Sequence, residues 1–132
     1  MRGLDTNVLV RYLAADDPRQ TRAAEKLISD CRQKEESLFI SILVLCELVW
    51  VLDRSYQQSK AAIIATLERI AEADLFVIEH DVLVRQSIEE FRSGRGNFAD
   101  YLIGGIARHA GCSDTVTFDH ALAGNERFTV LR

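Results

Sequence analysis

Apolar residues fall along this chain in two rhythms: short runs of three or four, and longer stretches spaced for one helical face. Residues 2–5 read as a short buried strand, and Asp5-Thr6-Asn7 turns it into a helix ending near Ala14-Ala15. Asp17-Pro18 has the form of a helix start, a cap followed by proline at the first position. The helix it opens carries Ala23, Ala24, Leu27, Ile28 and Cys31 on its apolar face. Leu38-Phe39-Ile40 reads as a strand, Ser41 as the cap of a helix running to about Asp53, and Ala61 to Ala73 as a further helix with Ile63, Ile64, Leu67, Ile70 and Ala71 inward. Residues 75–78 form a third strand. Asp81 to Phe91 is a helix with Val84, Ile88 and Phe91 on one stripe, and Ser93-Gly94-Arg95-Gly96 is a loop. Asn97 caps the next helix, in which Gly104-Gly105 permits close packing; residues 115–118 are a fourth strand and 128–131 a candidate fifth.

Strands that alternate with helices define an α/β protein with a mainly parallel sheet. In such sheets ligands gather at the carboxyl ends of the strands. The 132 residues suffice for one domain with a proper core and are too few for two, so residues 1–132 are expected to form a single domain.

Four acids stand out against this pattern. Asp5 ends the opening apolar stretch, and Glu47 interrupts the run FISILVLCELVWVL. Asp100 opens the helical pattern YLIGGIA, and Asp119 follows Val116-Thr117-Phe118. Asp5 and Asp119 fall at strand ends, and Glu47 and Asp100 are expected in first turns of helices. Burying an unpaired carboxylate is costly, so four of them in apolar surroundings point to a shared cation. Carboxylates are hard oxygen ligands suited to Mg²⁺, with Mn²⁺ as a substitute. Two such ions about 3.5–4 Å apart stabilise the attacking and leaving oxygens of a phosphodiester displacement. Each acid also has a plainer reading: Asp5 as a helix cap, Glu47 as a buried partner of an arginine, Asp100 as an acid favoured by its helix dipole, Asp119 as the start of a turn. Thr6, Asn7, Ser41 and Thr117 lie close in sequence to strand ends and acids, where they can orient ligands or hold a water; capping is the preferred reading for Ser41. His80, His109 and His120 lack metal-ligand spacing.

Charge and cysteine content narrow the classes. The formal net charge of −4, from 16 basic and 20 acidic residues, argues against a basic nucleic-acid-coating protein. It leaves room for a metal-loaded acidic site that acts on nucleic acid. Thirteen of the basic residues are arginine, the better bidentate phosphate ligand. Arg11, Arg92, Arg95 and Arg108 are candidates for holding a phosphate backbone, against a plain solvated role for each. Cys31, Cys46 and Cys112 have no CxxC spacing and read as reduced core thiols of a cytoplasmic protein. No signal peptide and no membrane-spanning run are visible.

The segments LDTNVLVRYL, SILVLCELVWVL, NFADYLIGGIA and TFDHAL, in this order, resemble the PIN-domain family, in particular its VapC-type toxin ribonucleases. The resemblance covers essentially the whole chain. It implies a three-layer α/β/α sandwich with a mainly parallel central sheet. It implies a Mg²⁺- or Mn²⁺-dependent endoribonuclease, usually a homodimer, neutralised by a small cognate antitoxin. Asp5, Glu47, Asp100 and Asp119 match the family's acids, and Asn7 and Thr117 its supporting polar positions. Asn97 stands where many members have an acid. The alternatives are a housekeeping PIN ribonuclease and a non-catalytic RNA- or protein-binding PIN module, the latter disfavoured because all four acids are kept. A phosphate-accepting signalling domain would want a late lysine after a strand, whereas the last lysine is Lys60; a haloacid-dehalogenase-like phosphatase would want an acid where Asn7 stands.

Overall fold

The computed structural model describes all of residues 1–132. The chain divides into two units between Asp81 and Val82.

The first unit contains β1 (Arg2–Gly3), α1 (Thr6–Ala14), α2 (Pro18–Gln33), β2 (Leu38–Ile40), α3 (Ile42–Arg54), α4 (Lys60–Glu72) and β3 (Phe76–Ile78). Its strands form one parallel sheet in the order β1-β2-β3, with Arg2 opposite Leu38 and Ile40 opposite Ile78. Parallel neighbours need long crossovers, and helices supply them. Within the unit α1 packs on α2 and α3, α3 on α4, and α4 on β3. Leu9, Ile28, Leu38, Ile40, Leu45, Leu48, Leu52 and Leu67 are the largest fully buried side chains there.

The helix starts follow local chemistry. Asp17 Oδ1 accepts from Gln20 N at 3.1 Å, Ser41 Oγ from Val44 N at 3.2 Å and Ser59 Oγ from Ala62 N at 3.1 Å. Each bond satisfies an amide that the helix leaves orphaned, and such a cap is worth about 1 kcal/mol. α1 ends at Ala15, whose φ of 53° places it in the left-handed region while its amide bonds Arg11 O.

The second unit contains α5 (Asp81–Ser93), α6 (Phe98–His109), β4 (Thr115–Thr117), a 3₁₀ turn (His120–Leu122) and β5 (Phe128–Val130). β4 and β5 pair in parallel, Thr115 opposite Phe128. Val84, Phe98, Leu102 and Leu122 are its largest fully buried side chains, and the rings of Phe91 and Phe98 lie 6.0 Å apart. Gly104 lets α6 lie against Phe128: a Cβ there would stand 2.7 Å from the ring's Cζ.

Several expectations need correction. β1 is two residues long and exposed, because only Leu4 of this stretch turns inward. Ala23 is exposed, since the buried stripe of α2 runs Thr21, Ala24, Ile28 and Cys31. Only Cys31 is a core thiol; Cys46 is half-buried and Cys112 is exposed beyond the end of α6. All three are free.

Candidate functional site

The four acids occupy two pairs of positions, Asp5 and Glu47 on the first unit and Asp100 and Asp119 on the second. None is buried: Asp5, Glu47 and Asp119 are exposed and Asp100 is half-buried. The burial cost that singled them out in the sequence therefore does not arise. No group of three or more His, Cys, Asp or Glu side chains forms a metal-ligating cluster.

Three of the acids share one arrangement. Asp5 Oδ1 accepts from Thr6 N at 2.9 Å, at the start of α1. Asp100 Oδ2 accepts from Asn97 N at 2.8 Å, reaching back over the first turn of α6. Asp119 Oδ1 accepts from Ala121 N at 2.9 Å, capping the 3₁₀ turn. The capping roles that rival the metal reading are thus real. Each uses one carboxylate oxygen and fixes the side chain's direction, while the second oxygen keeps its lone pairs for another ligand.

Glu47 differs. It lies in the second turn of α3 rather than the first, because that helix begins at Ile42. It makes no hydrogen bond or ion pair, so it is not the buried partner of an arginine. Leu43 and Trp50, one helical turn to either side, are 74% and 60% exposed. Glu47 therefore sits in an exposed apolar stripe.

The neighbouring polar groups sort by geometry. Thr6 is buried and its Oγ1 has no partner, beside Asp5. Thr117 Oγ1 accepts from Asp119 N at 3.0 Å, which leaves its own hydroxyl proton to donate. Ser41 caps α3, as preferred from sequence, and Asn7 is exposed on α1.

Glu79 escaped the sequence reading. Its Oε1 accepts from Ile42 N at 2.9 Å, so it joins the carboxyl end of β3 to the first turn of α3. A residue just after β3 that meets α3 across 37 positions has no local signature, although a carboxylate at a strand's carboxyl end was a signal of the kind used for Asp5 and Asp119.

The arginines also separate. Arg11 donates to Gln20 at 2.6 Å, to Asp16 at 3.2 Å and to Tyr56 at 3.3 Å, a network that ties α1 to the turn before α2 and to the end of α3. Tyr56 donates to Asp16 at 2.6 Å and holds that carboxyl below its ordinary range; the same bond pushes the Tyr56 phenol up. Arg92 pairs with Glu89 at 3.3 Å and Arg108 with Glu126 at 3.8 Å, both on the surface. Arg95 is exposed at the tip of the loop between α5 and α6, with no pairing partner.

Parallel β-strands joined by helical crossovers define an α/β protein of the kind that the sequence resemblance implied. Residues 4–126 match the family model of the PIN domain. The chain belongs to the PIN domain family. It is also 30% identical, over 118 residues, to the VapC ribonuclease of Aquifex aeolicus (strain VF5), covering 89% of this chain and 87% of that protein.

Proposed function

We propose that the chain is a divalent-metal-dependent endoribonuclease of the VapC type, the toxin of a toxin–antitoxin pair. The single observation carrying this reading is the PIN domain match over residues 4–126, within which Asp5, Asp100 and Asp119 each give only one carboxylate oxygen to a backbone amide. Similarity to a VapC ribonuclease over most of both chains supports it. The whole chain acts as one domain, a reading supported by a family match that runs across the division at Asp81.

The donor set fits Mg²⁺ or Mn²⁺. Magnesium takes one or two protein carboxylates and keeps several waters, and these solvent-reachable carboxylates suit that pattern. Asp5, Glu47, Asp100 and Asp119 would hold the ion or ions. When bound, the metal lowers the pKa of water and neutralises charge on a scissile phosphate. The chain's own part is orientation. Thr6 N, Asn97 N and Ala121 N fix three carboxylates, and Thr117 Oγ1 fixes the Asp119 backbone. Fixed acceptors of this kind can receive the proton of an attacking water. Arg95, unpaired on an exposed loop, is the arginine best placed to take an RNA phosphate. Arg11 serves packing instead, because its donors are committed within the first unit.

The antitoxin would cover the exposed stripe of Leu43, Glu47 and Trp50 with an apolar segment carrying a cation for Glu47. Free thiols support a reducing, cytoplasmic setting, and no helix is long and apolar enough to cross a membrane. A homodimer belongs to the same proposal. The test is incubation with total cellular RNA in Mg²⁺, in Mn²⁺ and in EDTA. Cleavage restored by either ion and lost in EDTA is expected; cleavage unchanged in EDTA would remove the metal mechanism.

A further inference from the structure

The loop between α5 and α6 is held by two side chains in succession. Asn97 N donates to Asp100 Oδ2 at 2.8 Å, and Gly96 N donates to Tyr101 Oη at 2.9 Å. Consecutive amides are therefore bound by consecutive residues of α6, one a site acid and the next a tyrosine only 3% exposed.

Neither glycine of the loop has a positive φ, so their role is room rather than backbone freedom. A Cβ at Gly94 would overlap the Tyr101 hydroxyl. A Cβ at Gly96 would stand 2.6 Å from Leu122 Cδ2 and 3.0 Å from the same hydroxyl. Leu122 is itself buried and ends the 3₁₀ turn that Asp119 caps. Gly96 is thus wedged between the residue that follows Asp100 and the turn that follows Asp119. All of these residues belong to the second unit.

We propose that Tyr101 is a positioning residue for the acidic site: its buried hydroxyl, by holding the Gly96 amide, sets Asp100 against Asp119 and presents Arg95 at the loop tip. The proposal rests on the reading of Asp100 and Asp119 as metal ligands. Packing alone would be served by phenylalanine; the hydroxyl adds a directional bond to a backbone amide shut away from water. Without that bond Gly96 is free to shift, Asn97 moves with it, and the Asp100 carboxylate loses the amide that aims it. Arg95, bounded by both glycines, loses its fixed origin in the same step.

The test compares Tyr101→Phe with the wild type by amide exchange, Mn²⁺ titration calorimetry and RNA cleavage. The variant should remain folded by circular dichroism. The Gly96 and Asn97 amides should exchange at least about tenfold faster. Mn²⁺ should bind roughly tenfold more weakly, the scale for residues that orient ligands. Cleavage should fall at limiting Mn²⁺ and recover when the ion is saturating. A folded variant that exchanges faster yet binds Mn²⁺ within about twofold of the wild type would overturn the proposal and leave Tyr101 a packing residue. If Tyr101→Phe does not fold, amide exchange in the wild type decides: a Gly96 amide that exchanges as fast as an unprotected loop amide means the hydroxyl does not hold it and overturns the proposal. Asp100→Asn separates the two ideas. Weaker Mn²⁺ binding in Asp100→Asn with none in Tyr101→Phe sinks the clamp alone; no weakening in Asp100→Asn sinks the ligand reading and the clamp with it.

Discussion

Glu79 Oε1 accepts a hydrogen bond from Ile42 N at 2.9 Å, so the end of β3 caps the helix that carries Glu47. Ser41 Oγ supplies a second acceptor in the same first turn, from Val44 N. The start of α3 is thereby held from inside its own sequence and from a distant strand. A carboxylate at a helix N-terminus also gains from the macrodipole. Glu79→Ala loses both the acceptor and the charge and should cost about 1–2 kcal/mol. Glu79→Gln keeps an acceptor and should lose only the charge term, about 0.3–1 kcal/mol. Urea unfolding of the two variants checks the order; a Gln variant as damaged as the Ala variant would mean the side-chain oxygen is not the acceptor in solution.

Glu47→Gln separates function from stability at one position. Glu47 is exposed and unpaired, so its replacement should change unfolding free energy by no more than about 0.5 kcal/mol, as for an ordinary surface site. Cleavage should fall on the order of 10²-fold or more, the scale for losing a group that stabilises developing charge. Turnover unchanged at both limiting and saturating Mg²⁺ would remove Glu47 from the reaction.

The paired glycines of α6 should respond differently to alanine. Both lie in the helix interior, where alanine gains about 0.8–1 kcal/mol over glycine. At Gly104 the new methyl would meet the ring of Phe128, which is 9% exposed and has little room to move. Overpacking costs about 1–3 kcal/mol, so Gly104→Ala should be net destabilising. At Gly105 the obstacle is the end of the Leu83 side chain, which can rotate aside, so Gly105→Ala should be near neutral. Thermal melting of both variants decides; equal shifts would contradict the asymmetry.

The Arg11–Asp16–Tyr56 network predicts a pH effect away from the site. The Tyr56 hydroxyl is the largest cause lowering the Asp16 carboxyl, with the Arg11 charge assisting. A depressed carboxyl stabilises the fold above its unfolded pKa, about 3.9, and that contribution disappears as pH falls through the lower folded value. Tyr56→Phe should therefore flatten the dependence of melting temperature on pH below about pH 4. The phenol, pushed up by the same bond, contributes below its unfolded pKa near 10 and loses that contribution as pH rises through the raised value. The alkaline limb should flatten too. Parallel pH–melting curves for wild type and variant would rule out this linkage.

The sequence alone determined the order and type of nearly every element and the family, because those signals are local. Asp17-Pro18 and Ser41 mark helix starts within three residues of the amides they serve, Asn97 marks the start of α6, and apolar spacing marks the strands and helices between them. It also drew attention to Asp5, Glu47, Asp100 and Asp119 by their neighbours. What those neighbours could not tell was which way each carboxylate faces. Glu47 lies in an apolar run yet is exposed, because Leu43 and Trp50 share its side of α3 while Leu45, Leu48 and Leu52 take the other. The tertiary structure alone decided that three acids bond backbone amides, that Arg11 bonds Gln20 and Asp16, and that Glu79 and Tyr101 anchor α3 and the Gly96 loop. The Arg11 and Glu79 contacts join segments distant in sequence, while Tyr101 depends on a loop folding back on its helix. No pattern along the chain encodes them until the packing brings donor and acceptor within about 3 Å.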